Sequence, residues 1–326
     1  MTRSAKLISR LAVGLATLAI VVGFVFSHYF QREPIKFQTS GFALNANFLD
    51  PYALTTGYQQ RTLALPSLLK SSATVRGKAV FQPVTVARRG VDFLEIYAKT
   101  KEQKYLDEAT GLMAQLVEHS SLDGSQSRWL TYTFDFKLHN DSQNVIHAPW
   151  YSAMAQGLAL SFSTRLYQAT QDDKYLKDAD GFYNSLAYIW RVLDLRSQSL
   201  FVSYVDVRDY LWLEEYAGDV TPMQVINGHN FAIFGLADYW KVTKSARAGQ
   251  MIDGAATTID HYFSAFRNPG GVSWYGLRIQ NTPRALSKHY HVIVTEQLKI
   301  LASITGDPRF TQESNLLKRD FYQVGI

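Results

Sequence analysis

At 326 residues, 47% of them hydrophobic, the chain can bury one large core or two small ones, and the composition argues against disorder. Its net charge of +5 contains no lysine or arginine block, which disfavours nucleic acid and leaves an anionic polysaccharide or a membrane surface as compatible partners. Cysteine is absent, which excludes disulfides, thiolate catalysis and cysteine metal sites.

The chain opens with Arg3, Lys6 and Arg10, and then Leu11 to Phe26 run for sixteen residues without a charge. Extended through Ser27–Phe30, the run approaches the ~20 residues needed to span a bilayer. No small-x-small cleavage site follows it. The expectation is an uncleaved signal anchor over 1–30, a single-pass membrane protein with its domain outside the cytoplasm, in a periplasm or lumen. A cleaved signal peptide would leave the domain in the same compartment. Residues 31–75, broken by Pro34, Pro51 and Pro66, read as a stalk and irregular segment. The domain proper is expected over 76–326.

From Pro83 onward the pattern is helical and it repeats. Thr100, Thr170, Thr243 and Thr305 each end a helix, and a short polar turn and a second helix follow. The threonines are 70, 73 and 62 residues apart. The predicted helices cover roughly 83–99, 103–119, 150–169, 173–191, 227–243, 247–265, 290–304 and 308–322. Four helical hairpins in series imply a mostly α fold, an αα-hairpin toroid or incomplete α/α barrel. The connections between hairpins are long. Trp129–Phe136, Ser199–Val207 and Gly270–Tyr275 read as strands within them, giving short β-hairpin insertions. Those connections should all emerge on one rim.

The residues suited to chemistry sit in these connections. Glu214-Glu215-Tyr216, Asn227-Gly228, Tyr275 with Arg278, and Tyr290-His291 carry groups that move protons or hold a carboxylate. His229, His289 and His291 lack a fixed ligand spacing, so no metal is expected. No glycine-rich phosphate loop is present, so no nucleotide cofactor is expected either. Each of these residues also has a structural reading. Glu215 can be a surface carboxylate, Tyr275 and Tyr290 packing residues, Arg278 a solvated charge, and His291 a helix-terminal hydrogen-bonder. Trp150 and Gln156 can be scaffold.

Trp150-Tyr151-Ser152-Ala153-Met154-Ala155-Gln156-Gly157 resembles a run in the heparan sulfate D-glucuronyl C5-epimerases. Trp212-Leu213-Glu214-Glu215-Tyr216, Val225-Ile226-Asn227-Gly228, Tyr275-Gly276-Leu277-Arg278 and Tyr290-His291 with Glu296-Gln297-Leu298 resemble further motifs of that family, in the same order. Phe81-Gln82-Pro83-Val84 resembles a short stretch upstream. Gly276, Ile279 and Val294 depart from the family's acid and two histidines. The interval from Gly90 to Trp150 is too short for the β-rich domain of the animal enzymes.

The resemblance implies inversion of C5 in glucuronate residues of an anionic polysaccharide, giving iduronate, without a cofactor. It implies Glu215, Tyr216, Tyr275 and Tyr290 as catalytic residues. Arg278, Asn227, His291, Trp150, Tyr151 and Gln156 are implied as substrate-binding. Glu215 would serve one face of C5 and Tyr290 the other, and Arg278 would pair with the uronate carboxylate. A polysaccharide lyase and a non-catalytic glycan-binding subunit are the alternative readings, and a homodimer is compatible with either.

Overall fold

A computed structural model describes residues 35–53, 72–75, 78–138, 144–197, 200–278, 280 and 286–321. The chain divides into two units, Met1–Lys36 and Phe37–Ile326, and every element below belongs to the second. The anchor expected over 1–30 lies outside the described residues. Among the described residues, no helix is long and apolar enough to cross a membrane.

Among the described residues, eight helices form four hairpins: α1 (Pro83–Thr100) with α2 (Gln103–Glu118), α3 (Ala153–Thr170) with α4 (Asp173–Ala187), α5 (Ile226–Thr243) with α6 (Ala246–Phe266), and α7 (Lys288–Thr305) with α8 (Arg309–Asp320). Helices α1, α3, α5 and α7 also pack on one another in that order and make an inner row. The α3–α5 seam is the most extensive of these, and α5–α7 is slighter than the other two. Helices α1 and α7 share no comparable seam, so the row stays open. This is the incomplete toroid that the hairpin repeat predicts.

The inner row is tight because small residues meet at its centre. A side-chain carbon at Gly157 would lie 2.5 Å from the Ala232 Cα, and one at Gly235 would lie 2.2 Å from the Gly157 carbonyl oxygen. Only glycine lets two helices approach so closely. Both helices are consequently buried on nearly every side.

Each inner helix has 18 residues and ends the same way. The threonine hydroxyl donates to the carbonyl four residues back: Ile96, Leu166, Tyr239 and Leu301, at 2.7 to 3.0 Å. It accepts the N–H two residues ahead, from Glu102, Asp172, Ser245 and Asp307. The residue between, Lys101, Gln171, Lys244 or Gly306, takes a left-handed conformation that stops the helix. Threonine recurs because one hydroxyl closes the last turn and starts the next. The four threonines thus mark one rim, and the helix starts mark the other, about 27 Å away.

Small sheets fill the connections. Strands β1 (Ser72–Val75) and β2 (Lys78–Phe81) pair antiparallel, as do β3 (Ser120–Leu122) with β4 (Arg128–Leu130) and β5 (Phe136–Lys137) with β6 (Val145–Ile146). Strand β7 (Ile189–Arg191) runs parallel to β8 (Ser203–Val205), which pairs antiparallel with β9 (Leu211–Leu213). Three expectations are corrected. The helix expected over 150–169 starts at Ala153, because Trp150 and Tyr151 bridge to Tyr132 and Ala217 and Ser152 caps the helix. The helix expected over 173–191 ends at Ala187, and its last residues join β7. Gly270–Tyr275 makes no ladder; Trp274 and Gly276 form isolated bridges to Leu286 and Val225.

Residues 37–53 cross the threonine rim. Asp253 accepts from the Ser40 and Gly41 amides, the Asn45 amide donates to the Ile304 carbonyl, and Asp50 pairs with Arg165 at 2.8 Å. Arg165 also pairs with Glu95 at 2.7 Å and Asp238 at 2.8 Å, and its guanidinium lies over the Tyr52 ring. Asp50, Glu95, Arg165 and Asp238 border a cavity of about 440 Å³ on the rim opposite the site described below. One guanidinium therefore ties this segment to α1, α3 and α5. Arg165→Ala leaves three carboxylates facing one another, one of them almost fully buried. Urea denaturation at neutral pH should show a loss of about 3 kcal/mol, the cost of stranding a buried ion-pair partner. The loss should shrink in acid, where the carboxyls accept protons.

Candidate active site

Four connections meet at the starts of α5 and α7. Glu214 and Glu215 follow β9. The Glu214 amide donates to the Val202 carbonyl, and the Glu214 carbonyl accepts from the Ala153 amide. Tyr151 and Ala217 then exchange two backbone hydrogen bonds, tying the glutamate turn to the start of α3. Tyr275 is held by its carbonyl, which accepts from Ile226, and by the Gly276–Val225 bridge. Tyr290 lies in the first turn of α7, capped by Ser287. Leu138, Met223, Val225 and Tyr275 form an apolar cluster against which Phe136, Tyr216, Trp274 and Tyr290 pack.

The two adjacent glutamates are both buried but are held differently. Each oxygen of Glu214 accepts a backbone N–H, from Tyr216 at 3.3 Å and Gln224 at 3.1 Å. Glu214 therefore brackets the 216–224 loop, in which Gln224 adopts a left-handed φ of 55°. Glu215 Oε1 accepts from the Tyr275 hydroxyl at 3.2 Å. Glu215 Oε2 lies against Gly228 at the start of α5, and a side-chain carbon there would sit 2.2 Å from it. Among the described side chains, none donates a hydrogen bond to Oε2. Glycine at 228 is what admits the carboxylate to the helix start.

The phenols continue from Glu215. Tyr216 and Tyr275 hydroxyls are 3.1 Å apart, and either can be the donor. The Tyr275 and Tyr290 rings lie 4.6 Å apart, and Phe136 stacks on the far side of Tyr216. Burial pushes the Glu215 carboxyl up to about 7, against hydrogen bonds from Tyr216 and Tyr275 and with help from the Glu214 charge. Burial likewise pushes Glu214 up to about 7 against its backbone donors. Burial first, and the Glu215 charge second, raise Tyr216, Tyr275 and Tyr290 above the ordinary phenol range. The tyrosines are therefore protonated near neutrality, and of the two glutamates that burial brings toward neutrality, Glu215 is the one bonded to a phenol.

The remaining predicted residues divide. Gln156 is fully buried: its Oε1 accepts from the Leu130 amide, and its Nε2 donates to the Arg128 carbonyl and the Ser185 hydroxyl. Trp150 is buried, stacks on Tyr132 and donates to the Phe134 carbonyl. His291 is buried, with Nδ1 on the Ser273 amide and Nε2 beside the Leu317 and Phe321 carbonyls. The hydrogen-bonding groups of these three residues, implied as substrate contacts, are all engaged with the protein itself. Tyr151 is nearly buried, its ring edge-on to Trp129. Asn227 is buried beside Gly228, and its side-chain oxygen has no partner among the described residues. Arg278 is exposed; its amide reaches the Met223 carbonyl, and its charge acts on buried Tyr204. His229 is structural too: it accepts from the Leu213 amide, faces the Ala255 carbonyl, and burial pushes it down to about 4. Among the described residues no group of three or more His, Asp or Glu is placed to hold a metal.

Residues 123–319, more than half of the chain, match the family described as the D-glucuronyl C5-epimerase C-terminus. An uncharacterised protein of Methanocaldococcus jannaschii is 26% identical over 176 residues, 54% of this chain and 52% of that protein. The chain thus matches about half the length of this curated relative. Among solved structures, the α-1,6-mannanase GH76A from Salegentibacter sp. HEL1_6 aligns with a TM-score of 0.53 at 12% identity, covering 82% of this chain and 69% of that one. Cellobiose 2-epimerase from Spirochaeta thermophila aligns with a TM-score of 0.50 at 14% identity, covering 73% and 58%. These likenesses establish the fold alone.

The raised pKa of Glu215 has a thermodynamic consequence. Its folded value of about 7 exceeds the ordinary 4.5, so the unfolded chain ionises first as pH rises. The stability this group contributes is present below pH 4.5 and is lost as pH climbs toward 7. Glu215→Gln removes the titration. Denaturation from pH 4.5 to 7.5 should show the variant gaining on the parent by up to roughly 3 kcal/mol, with most of the gain before pH 7.

Proposed function

The chain belongs to the D-glucuronyl C5-epimerase C-terminal family, and from that premise we propose that it inverts C5 of glucuronate residues in an anionic polysaccharide. The observation that carries the reading is the hydrogen-bonded group of one buried carboxylate, Glu215, and three phenols, Tyr216, Tyr275 and Tyr290. Fold likeness to carbohydrate-processing enzymes is consistent with it. The reaction needs a base on one face of C5, a proton donor on the other, and stabilisation of charge spreading into the uronate carboxylate.

In this reading Glu215 takes the C5 proton. The electron pair of the broken C–H bond passes into the carboxylate, giving an enediolate. Tyr290 protonates C5 from the opposite face, and the electron pair returns to form the new C–H bond. Glu215 has gained a proton and Tyr290 has lost one. Tyr275, hydrogen-bonded to Glu215 and next to Tyr290, is placed to carry the proton between them and reset the site. Arg278, three residues after Tyr275 and exposed, is the cation assigned in this reading to the substrate carboxylate. Tyr216 supports Tyr275, and the Asn227 oxygen, without a partner among the described residues, is assigned in this reading to a sugar hydroxyl. We also propose that the apolar run of 11–30 anchors the protein to a membrane with this site outside the cytoplasm, on the strength of the basic residues before it.

Incubation with glucuronate polymers in deuterated water should place deuterium at C5 without the ultraviolet absorbance of an unsaturated sugar. Glu215→Gln and Tyr290→Phe should each lower the exchange rate by at least about 100-fold while leaving the circular dichroism unchanged. Arg278→Ala should raise KM as well as lower kcat. Parent-like exchange in both Glu215→Gln and Tyr290→Phe overturns the site, and absence of exchange in the parent overturns the activity.

A further inference from the structure

The two proton-transfer groups are tied to different helices. Glu215 is seated against Gly228 at the start of α5, whereas Tyr290 is carried by α7. Their separation is therefore set by how α7 docks on α5. That seam is slighter than the α1–α3 and α3–α5 seams, so apolar packing alone holds it less firmly.

A single buried side chain crosses it with directional bonds at both ends. Gln297 is 3% exposed. Its Nε2 donates to the Asn227 carbonyl at 3.1 Å, and its Oε1 accepts from the Asn230 side-chain amide at 3.1 Å. Asn227 is the residue before Gly228. Gln297 lies seven residues after Tyr290, two helical turns, so both face the same way on α7.

We propose that Gln297 is a positioning residue. By grasping a backbone carbonyl and a side chain one turn apart on α5, it sets the register of α7 and so the place of Tyr290 relative to Glu215. The inference rests on the proton-transfer reading of those two residues. Dispersion contacts tolerate a slide along the seam, whereas two hydrogen bonds of opposite polarity do not. Replacing Gln297 by an apolar residue leaves the Asn230 side chain without its partner and frees the seam to shift. Each hydrogen bond contributes only modestly to stability, yet a displacement of about 1 Å at reacting groups can cost about 100-fold in rate. A rate effect larger than the stability effect is the signature of positioning.

The test uses the full chain with Gln297→Leu and, as a second variant that cuts one end of the link, Asn230→Ala. Deuterium exchange at C5 of a glucuronate polymer gives kcat and KM, thermal melting gives the folded fraction, and ring-labelled tyrosine observed by NMR reports on Tyr290, assigned with Tyr290→Phe. The expected result is a fall in kcat of about 10- to 100-fold with KM within about two-fold, a folded protein at the assay temperature, and a moved Tyr290 signal. Unchanged kcat and an unchanged Tyr290 signal in the folded variants overturn the proposal. So does a loss of rate that only follows loss of folded protein. If the parent shows no exchange on any glucuronate polymer, the epimerase reading fails by itself. The Tyr290 signal then decides the positioning claim: movement in either folded variant upholds it, and constancy overturns it.

Discussion

The contact on which the rest depends is the backbone approach of α3 and α5 at Gly157 and Gly235. With no side chain between them, these helices act as one double rod. One end of that rod carries two of the repeated threonine turns. The other presents the Ser152 cap beside the glutamate turn and the Gly228 seat for Glu215. Widening the helix pair by one methyl would separate Tyr151, which grips Ala217, from Gly228, which receives Glu215. The precision of the site is thus inherited from the most closely packed part of the core, as expected where a rigid scaffold presents functional loops.

The adjacent glutamates illustrate how neighbours of the same type acquire different work. Burial is the largest influence on both and raises each to about 7. Glu214 offsets that cost with backbone N–H donors and shapes the loop through Gln224. Glu215 has a phenol on one oxygen and a glycine beside the other. Protonating Glu214 costs it one of these backbone bonds. Glu215, in contact with phenols that can pass a proton on, can accept and return one through them.

Much of the architecture was legible because it repeats locally. The threonine turns, the eight helices and the clustering of Glu215, Tyr275 and Tyr290 at the opposite rim all follow from spacing along the chain. What escaped was long-range. Nothing near Arg165 in sequence indicates that Asp50, Glu95 and Asp238 converge on it, because those partners come from separate elements. The seating of 37–53 across the rim was hidden for the same reason. Trp150, Gln156 and His291 belong to the motifs that carry the resemblance, yet their polar groups bind backbone. A motif records that a residue is needed, and only its hydrogen-bond partners separate a substrate contact from a brace. Gln297 sat inside such a motif, and its two-sided link became visible only with α5 in place.

Charge balance limits how the proposed chemistry can operate. A uronate entering beside Glu215 brings a second negative charge into a site already short of water. Like charges raise the proton affinity of Glu215, and the enediolate adds further negative charge during reaction. The tyrosines bring no positive charge to offset this, and burial and the Glu215 carboxylate keep them protonated before the reaction. They can relieve it as donors, through hydrogen bonds that strengthen as charge develops. A cation must supply the rest, and Arg278 is suited to it by being exposed in the free protein. A guanidinium buried beside Glu215 from the outset would hold that carboxyl ionised at a lower value and weaken it as a base. One that swings in with the substrate neutralises the uronate instead. On this argument the exposure of Arg278 in the free chain is part of how Glu215 keeps a value near neutrality.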